Sequence, residues 1–360
     1  MMQTNKNRIG WVDSMKAFSI MAVVLYHTQI MPEIKTAAYL VCLPAFFFVA
    51  GLFTNTSFSP KEFFLKKTLR LLIPYVIWGL LSWVFWYFVS SRYGSSVENE
   101  TVWWKPLSGM LFGRQEGLGH NAPLWFLCCM MSLEWIYYGV AQMSKQWVRW
   151  ILLAGLGISG CVLAYLGQNW FWGISAALII LPLYALAAEY TTYWKEKMSS
   201  LPIYVLVAIL AVSLLGLWVG YTYNGDIRLC DSIIGNPVLY YLSVLSTVGL
   251  WLSIALIWDK KSGPVSRLFQ YIGRNTLFVL CVHIPAFSVI KGLALLCRIP
   301  IAFWSSTGGS VVLWISTFVL LMPLAWLVNR YCPILIGKVS PFPLRTTTGD
   351  TSSKLSDKRL

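Results

Sequence analysis

The chain has 360 residues, of which 57% are hydrophobic and 12% charged, whereas roughly 25% of the residues in an average soluble domain are charged. Together with a mean hydropathy of +0.64, this composition excludes an ordinary soluble enzyme and predicts repeated membrane-spanning segments. The net charge of +14 does not indicate a nucleic-acid-binding protein, because the basic residues are scattered over short loops and form no single basic face.

Ten apolar runs have about the length that an α-helix needs to cross a bilayer. They predict spans at 11–31, 37–54, 70–90, 123–141, 149–166, 170–190, 201–222, 237–257, 275–296 and 309–329. We therefore expect an all-α integral membrane protein, a bundle of about ten transmembrane helices, with one domain over residues 1–340. The polar segment 341–360 is predicted to be a disordered cytoplasmic tail.

Most Lys and Arg residues fall in segments on the same side of these spans as the N-terminus. The positive-inside rule therefore predicts that both termini are cytoplasmic. The eight cysteines lie mostly within apolar runs and lack metal-ligand spacing, so we expect neither a disulfide framework nor a metal site.

The first predicted span contains three ionisable residues, Asp13, Lys16 and His27. Such residues within a span usually face the bundle interior or a wet cavity, because exposing them to lipid is costly. Lys16 and His27 are separated by about three helical turns and project from one face, and Asp13 lies near the same stripe. The alternative is that Asp13 and Lys16 merely pair at the membrane surface while His27 bonds a neighbouring helix.

Imidazole can take a proton from a hydroxyl near neutral pH, so we interpret His27 as a general base. A histidine nucleophile that forms an acyl intermediate is also compatible with the sequence. The two mechanisms use the same side chain, and the sequence does not separate them.

A basic cluster, Lys66, Lys67 and Arg70, precedes Pro74 at the start of the third span. On a helix the spacings of three and four residues would present the cations together to an anion such as a phosphate. Anchoring to acidic lipid headgroups is the alternative explanation.

Two further candidate residues lie within predicted spans, Glu134 in the fourth and His283 in the ninth. An unpaired carboxylate at mid-membrane is costly, so Glu134 either bonds a partner across the bundle or joins a proton path. His283 precedes Pro285 by two residues, and it alternatively bonds a backbone carbonyl freed by the proline kink.

The longest predicted outer loop, 91–122, contains Trp103, Trp104 and His120. These side chains could form a lid or a surface on which a sugar stacks. Interfacial anchoring of the two tryptophans is the alternative.

Ordered motifs along nearly the whole chain resemble the membrane acyltransferase 3 family, especially its sugar O-acetylase branch. The segment from Arg8 through Asp13 and Lys16 to His27 looks like the family's opening motif, in which a basic residue precedes an essential histidine by eleven positions. The other similar segments are Pro44–Gly51, Lys67–Arg70 with Pro74 and Tyr75, Pro123–Leu127 and Gly273–Leu277 with His283.

The resemblance implies a bacterial inner or plasma membrane protein that moves an acetyl group from cytoplasmic acetyl-CoA to a hydroxyl of a surface polysaccharide or its lipid-linked sugar precursor. It implies that Lys67 and Arg70, with Lys66 beside them, hold the coenzyme A phosphates, that Lys16 guides the thioester, and that His27 promotes transfer. Lys stands at positions 16 and 67, where the family often has Arg, which keeps the charge but loses the bidentate fork.

For the acceptor, we expect His120, Trp125, Glu134 and His283 to line the binding site. The expected partners are acetyl-CoA, the carbohydrate acceptor and membrane lipid, without nucleic acid or metal. A transporter or flippase of a lipid-linked saccharide is the main alternative, although the sequence has no detectable inverted repeat of the kind many transporters show. The sugar, the hydroxyl, the acyl group and the oligomeric state stay open.

Overall fold

The computed structural model describes residues 9–92, 102–260 and 263–338. Within these ranges the chain forms α-helices connected by short turns and 3₁₀ segments. The helices are α1 Gly10–Tyr26, α2 Pro32–Cys42, α3 Pro44–Leu52, α4 Pro60–Lys67, α5 Ile73–Phe88, α6 Lys105–Phe112, α7 Trp125–Ala141, α8 Gln146–Tyr165, α9 Ile174–Glu189, α10 Thr191–Lys197, α11 Ile203–Tyr223, α12 Pro237–Asp259, α13 Pro264–Arg274, α14 Thr276–Leu296 and α15 Thr307–Tyr331.

Nine helical segments within the described residues are long and apolar enough to cross a membrane. They are Pro32–Leu52, Pro60–Phe88, Ala122–Ala141, Gln146–Tyr165, Phe171–Glu189, Ile203–Tyr223, Pro237–Asp259, Thr276–Leu296 and Thr307–Tyr331. The prediction of an all-α membrane bundle is confirmed to this extent. The tenth predicted span, 11–31, corresponds to the 17-residue α1, whose length of about 25 Å is shorter than a hydrocarbon core of roughly 30 Å. The count of ten and the cytoplasmic location of the termini stay predictions.

Prolines divide the chain in ways that the apolar runs do not reveal. The predicted span 37–54 consists of two helices, and Pro44 opens the second, because a residue without an N–H fits best in the first turn of a helix. The third spanning segment begins at Pro60, ten residues before its predicted start. There Ser59 and Glu62 form a reciprocal capping box, which supports a helix start despite the charged residues that follow.

Helix α1 lies in the interior of the bundle, where it packs against α2, α12, α13 and α14. Its side chains Trp11, Met15 and Ile20 are buried. From α15, the indole N–H of Trp314 donates to the Met21 carbonyl at 2.8 Å. The ionisable residues of the first predicted span are therefore carried by a helix that is packed on several sides.

Part of the predicted outer loop folds into the bundle. The Tyr75 hydroxyl of α5 donates to the Met110 carbonyl of α6 at 2.6 Å, and Leu118 is fully buried. Trp103 and Trp104 stay more than half exposed. The described part of the loop therefore contains both surface and buried residues; residues 93–101, and the predicted tail at 341–360, lie outside the described residues.

Candidate functional site

The imidazole of His27 lies at the carboxyl end of α1, where the helix terminates. It is partly buried and lies against two rings from different parts of the chain. The Tyr26 ring contacts it edge-on at a centroid distance of 4.9 Å, and the His283 ring lies at 5.2 Å with an angle of 49° between the planes. Two of the histidines selected from the sequence therefore belong to one cluster.

His283 is fully buried in α14. Its Nδ1 lies 2.9 Å from the carbonyl oxygen of Val279, one helical turn earlier. A carbonyl oxygen only accepts hydrogen bonds, so Nδ1 carries the hydrogen and Nε2 of the neutral ring carries a lone pair. Among the described residues, this buried Nε2 has no hydrogen-bond partner.

The carbonyl freed by Pro285 is satisfied by another residue. Proline has no N–H, so it cannot donate to the carbonyl of Cys281 four residues earlier. The side-chain amide of Asn121 donates to that carbonyl at 2.8 Å and also to the Ser82 hydroxyl at 2.8 Å. His283 therefore bonds a backbone carbonyl, that of Val279, whereas Asn121 bonds the carbonyl that Pro285 leaves without a donor.

An aromatic shell extends from His27 towards α2. The Tyr26 and Tyr39 rings have centroids 4.8 Å apart, and the Lys35 ammonium lies 5.4 Å from the Tyr26 ring. The Tyr39 hydroxyl lies 3.5 Å from the Cys230 sulfur. None of these residues is marked as functional by the local sequence pattern, although Tyr26 is adjacent to His27.

At the other end of α1, Asp13 and Lys16 form an ion pair of 2.7 Å. The rise of α1 places Lys16 about 16 Å along the helix axis from His27. Gly273 of α13 packs so closely on this turn that a Cβ there would lie 1.8 Å from the Asp13 carbonyl oxygen. The charged pair and the imidazole therefore mark two separate levels of one buried helix.

The basic cluster is divided between two environments. Lys67 forms a 2.7 Å ion pair with Glu134 of α7, and their side chains are 12% and 7% exposed. The Lys66 ammonium lies 3.1 Å from the centroid of the Phe58 ring, whereas Arg70 is exposed. Lys67 therefore lies within the bundle and pairs with Glu134 of another helix, whereas Arg70 is the more exposed cation.

A wide turn separates Lys67 from Arg70. Residues Thr68–Leu72 form a π-helical segment, in which the Ile73 amide donates to the Thr68 carbonyl five residues earlier. Pro74 favours this turn because it cannot donate to the carbonyl of Arg70. The α-helical spacing that would have placed the three cations on one face therefore does not hold.

The two remaining predicted acceptor residues lie close together in sequence and are both buried. His120 is 5% exposed and Trp125, at the start of α7, is 6% exposed. Burial lowers the pKa of the imidazole to about 4, and an interaction with the Gly79 backbone offsets this only in part. His120 is therefore held as a neutral ring beside Asn121.

Comparison with known proteins agrees with the motifs. A family model described as an acyltransferase domain matches residues 9–330. The chain belongs to the acyltransferase 3 family. No curated protein and no solved structure matches the chain. Family membership and the nine apolar helices together make this acyltransferase a multi-pass membrane protein.

The matched region of the acyltransferase contains both histidines of the cluster, the Asp13–Lys16 pair and the Lys67–Glu134 pair. A third ion pair, Arg149 with Glu189 at 2.8 Å, gave no signal in the sequence. Tyr137 donates to the same carboxylate at 3.0 Å, so this network joins α7, α8 and α9 and acts as a structural contact.

Proposed function

We propose that this acyltransferase moves an acetyl group from acetyl-CoA to a hydroxyl of a surface polysaccharide or its lipid-linked sugar precursor. The observation that carries the proposal is the buried His27–His283 cluster, with ring centroids 5.2 Å apart, on the central helix of a membrane bundle. Imidazole is the side chain best suited to move the proton of a hydroxyl near neutral pH. Apolar surroundings also limit the competing attack of water on a thioester.

The donor is proposed to bind at an edge where cations from distant parts of the chain meet. Arg70 is exposed, and Gly337 packs directly on the Arg70 backbone. The following residue, Lys338, bonds Asn329 at the end of α15. Charged donors of this kind suit the phosphates of coenzyme A, and sequence reasoning did not select Lys338.

The length of α1 suits a donor whose charged part stays near the Asp13–Lys16 pair and whose thioester lies near His27. Coenzyme A is too large and charged to cross lipid, whereas its uncharged pantetheine arm can enter a bundle. We propose that the arm passes the level of the Asp13–Lys16 pair and presents the thioester near His27, about 16 Å further along the helix. Only the acetyl group then reaches the acceptor on the far side. His27 promotes the transfer either as a general base or as a nucleophile.

The test compares cells that lack the gene with cells that carry wild-type or variant genes. O-acetyl groups on the surface polysaccharide are measured by NMR, and protein levels are measured in the same membranes. Wild type restores acetylation and His27→Ala does not. The control is Thr28→Val, which disturbs the same helix end by removing a hydroxyl bonded to the Leu25 carbonyl but keeps the imidazole.

Normal acetylation with His27→Ala at wild-type protein levels contradicts the role of His27. Identical polysaccharide in cells with and without the gene contradicts the acceptor class. Loss of acetylation in both His27→Ala and Thr28→Val, with reduced protein, indicates an effect on folding and not on chemistry.

A further inference from the structure

The two imidazoles of the cluster differ in what surrounds them. His283 is fully buried, whereas His27 is only partly buried, so a substrate that enters the site meets His27 first. The Val279 carbonyl fixes the tautomer of His283 and leaves a lone pair on Nε2. A protonated His283 would place a charge and an unpaired N–H in the apolar core, which is costly. The neutral form, a hydrogen-bond acceptor behind His27, is therefore favoured.

The separation of the rings suits a hydrogen bond between them. An N–H···N hydrogen bond of about 3 Å places two imidazole centroids close to the observed distance of 5.2 Å. Nε2 of His283 is unpaired among the described residues, and rotation of the His27 ring about its broad χ2 torsion can aim an N–H at it.

We propose that His283 is a positioning residue that accepts a hydrogen bond from His27 and thereby fixes which nitrogen of His27 faces the substrates. This role rests on the proposed function. Because the tautomer of His283 is set by Val279, His27 can only donate to it. The second nitrogen of His27 must then carry a lone pair, which is the form that either a general base or a nucleophile requires. The Val279 carbonyl sets the tautomer of His283, and His283 in turn determines which nitrogen of His27 carries the lone pair.

The proposed transfer moves one proton from the acceptor hydroxyl to the coenzyme A thiolate by way of His27. In direct transfer, the acceptor O–H proton moves to the free nitrogen of His27 as the new C–O bond forms. The C–S bond of acetyl-CoA breaks, and the same proton passes from His27 to the thiolate. His27 ends neutral, and His283 keeps its proton on Nδ1 throughout.

Two substitutions test the roles of the two ring nitrogens of His283 separately. In His283→Asn the side-chain amide can still donate to the Val279 carbonyl, but nothing replaces Nε2. In His283→Gln the amide oxygen reaches the position of Nε2 and can accept from His27. Cys281→Ala, on the opposite face of α14, is the control for altered packing of this buried helix.

The assay uses the full-length protein in lipid nanodiscs, with ¹³C-acetyl-CoA and de-O-acetylated polysaccharide from the gene-deleted cells. Released coenzyme A and transferred acetyl groups are both measured by mass spectrometry. We expect His283→Asn to lower kcat by at least about 100-fold, the scale of one general-base contribution, with an unchanged KM for acetyl-CoA. We expect His283→Gln to stay within about 10-fold of wild type, because a replaced acceptor costs far less than a missing one.

A double substitution tests whether His283 acts through His27. The His283→Asn substitution should have no further effect in a His27→Ala background, because residues that act as one unit are not additive.

Several outcomes overturn the role. If His283→Asn is as active as wild type and His27→Ala is inactive, the positioning role of His283 is overturned and the proposed function stands. Equal losses in His283→Asn and His283→Gln, or a KM that rises with the loss of kcat, indicate a purely structural residue. A wild-type protein that releases no coenzyme A and transfers no acetyl group overturns the proposed function and this role together.

Discussion

Lys67 of α4 and Glu134 of α7 form a 2.7 Å ion pair whose side chains are 12% and 7% exposed. Each charge has lost most of its water, so each depends on the other for compensation. The pair has a functional consequence as well as a structural one. A phosphate that binds Lys67 must compete with Glu134, whereas Arg70 is exposed at the protein surface and has no such competing ion pair among those the structure describes.

Removing one member of this pair should destabilise the protein more than removing both. We expect Glu134→Leu or Lys67→Met to cost about 3–5 kcal/mol, because each leaves an uncompensated buried charge. The double variant Lys67→Met with Glu134→Leu should recover most of that loss. The measurement is the thermal unfolding midpoint of the purified protein in one detergent.

The control for the pair is Lys61→Ala, an exposed position on α4, which should change stability by less than about 0.5 kcal/mol. A double variant as unstable as the worse single variant would show that packing, not charge compensation, holds the two helices together.

Arg70 should contribute to donor affinity without contributing to chemistry. Loss of one charge-assisted hydrogen bond costs about 1.5–3 kcal/mol, so Arg70→Ala should raise the KM for acetyl-CoA roughly 10- to 100-fold with little change in kcat. Steady-state kinetics over a range of donor concentrations measure both quantities. Added salt should weaken donor binding to wild type more than to Arg70→Ala, because salt screens exposed charges.

Arg70→Lys distinguishes charge from geometry. It should recover part of the affinity, since it keeps the cation but not the planar fork. Lys61→Ala should leave the KM unchanged. An unaltered KM in Arg70→Ala would remove this residue from the proposed donor site.

The contact between α13 and α1 should tolerate no side chain at position 273. A Cβ on Gly273 would lie 1.8 Å from the Asp13 carbonyl oxygen, so Gly273→Ala must force the two helices apart at the turn that contains Asp13 and Lys16. We expect a loss of stability of about 1–3 kcal/mol, the usual cost of overpacking, and lower acetyl transfer. The unfolding midpoint and the transfer rate are measured on the same preparation.

Gly155→Ala is the matched control, because Gly155 is also helical and a Cβ there would meet nothing within 4 Å. It should be neutral or slightly stabilising, since Ala favours a helix over Gly. Similar effects of the two substitutions would mean that the close approach at Asp13 has no particular importance.

Much of the fold follows from the length of the apolar runs. Nine of the predicted spans correspond to helices of spanning length, since a run of about 20 apolar residues has few alternatives to crossing a membrane as a helix. Hydropathy could not reveal the break at Pro44 or the helix start at Pro60. Both depend on the geometry of individual prolines and caps, which averaging over a window removes.

The candidate site was predictable only as far as local spacing determines it. Asp13 and Lys16 lie three residues apart, and helix geometry alone allows them to pair. His27 and His283 each stood alone in the sequence, and only the packing of α1 against α14 brings their rings together. The same holds for Lys67 and Glu134. A partner on a distant helix leaves no mark on the local pattern, so tertiary packing was needed to find it.

His120 should make the protein less stable as the pH falls below neutral. Burial lowers the pKa of its imidazole from the ordinary value of 6.5 to about 4, so the unfolded chain binds more protons than the folded protein between these values. Stability is therefore fully present above about pH 6.5 and is lost progressively towards pH 4. At pH 5 the loss due to this residue should be about 2 kcal/mol, since each pH unit is worth roughly 1.4 kcal/mol.

The comparison with His120→Phe isolates this contribution from those of the carboxylates, which titrate in both proteins. Relative to wild type, the variant should gain about 2 kcal/mol between pH 8 and pH 5, measured as the difference in unfolding free energy or midpoint in the same detergent. The sign of this stability change with pH distinguishes the two cases. A buried imidazole that gained a carboxylate partner would have a raised pKa and would stabilise the protein on acidification. Parallel pH curves for the two proteins would show that His120 is solvated in the folded state, contrary to its burial.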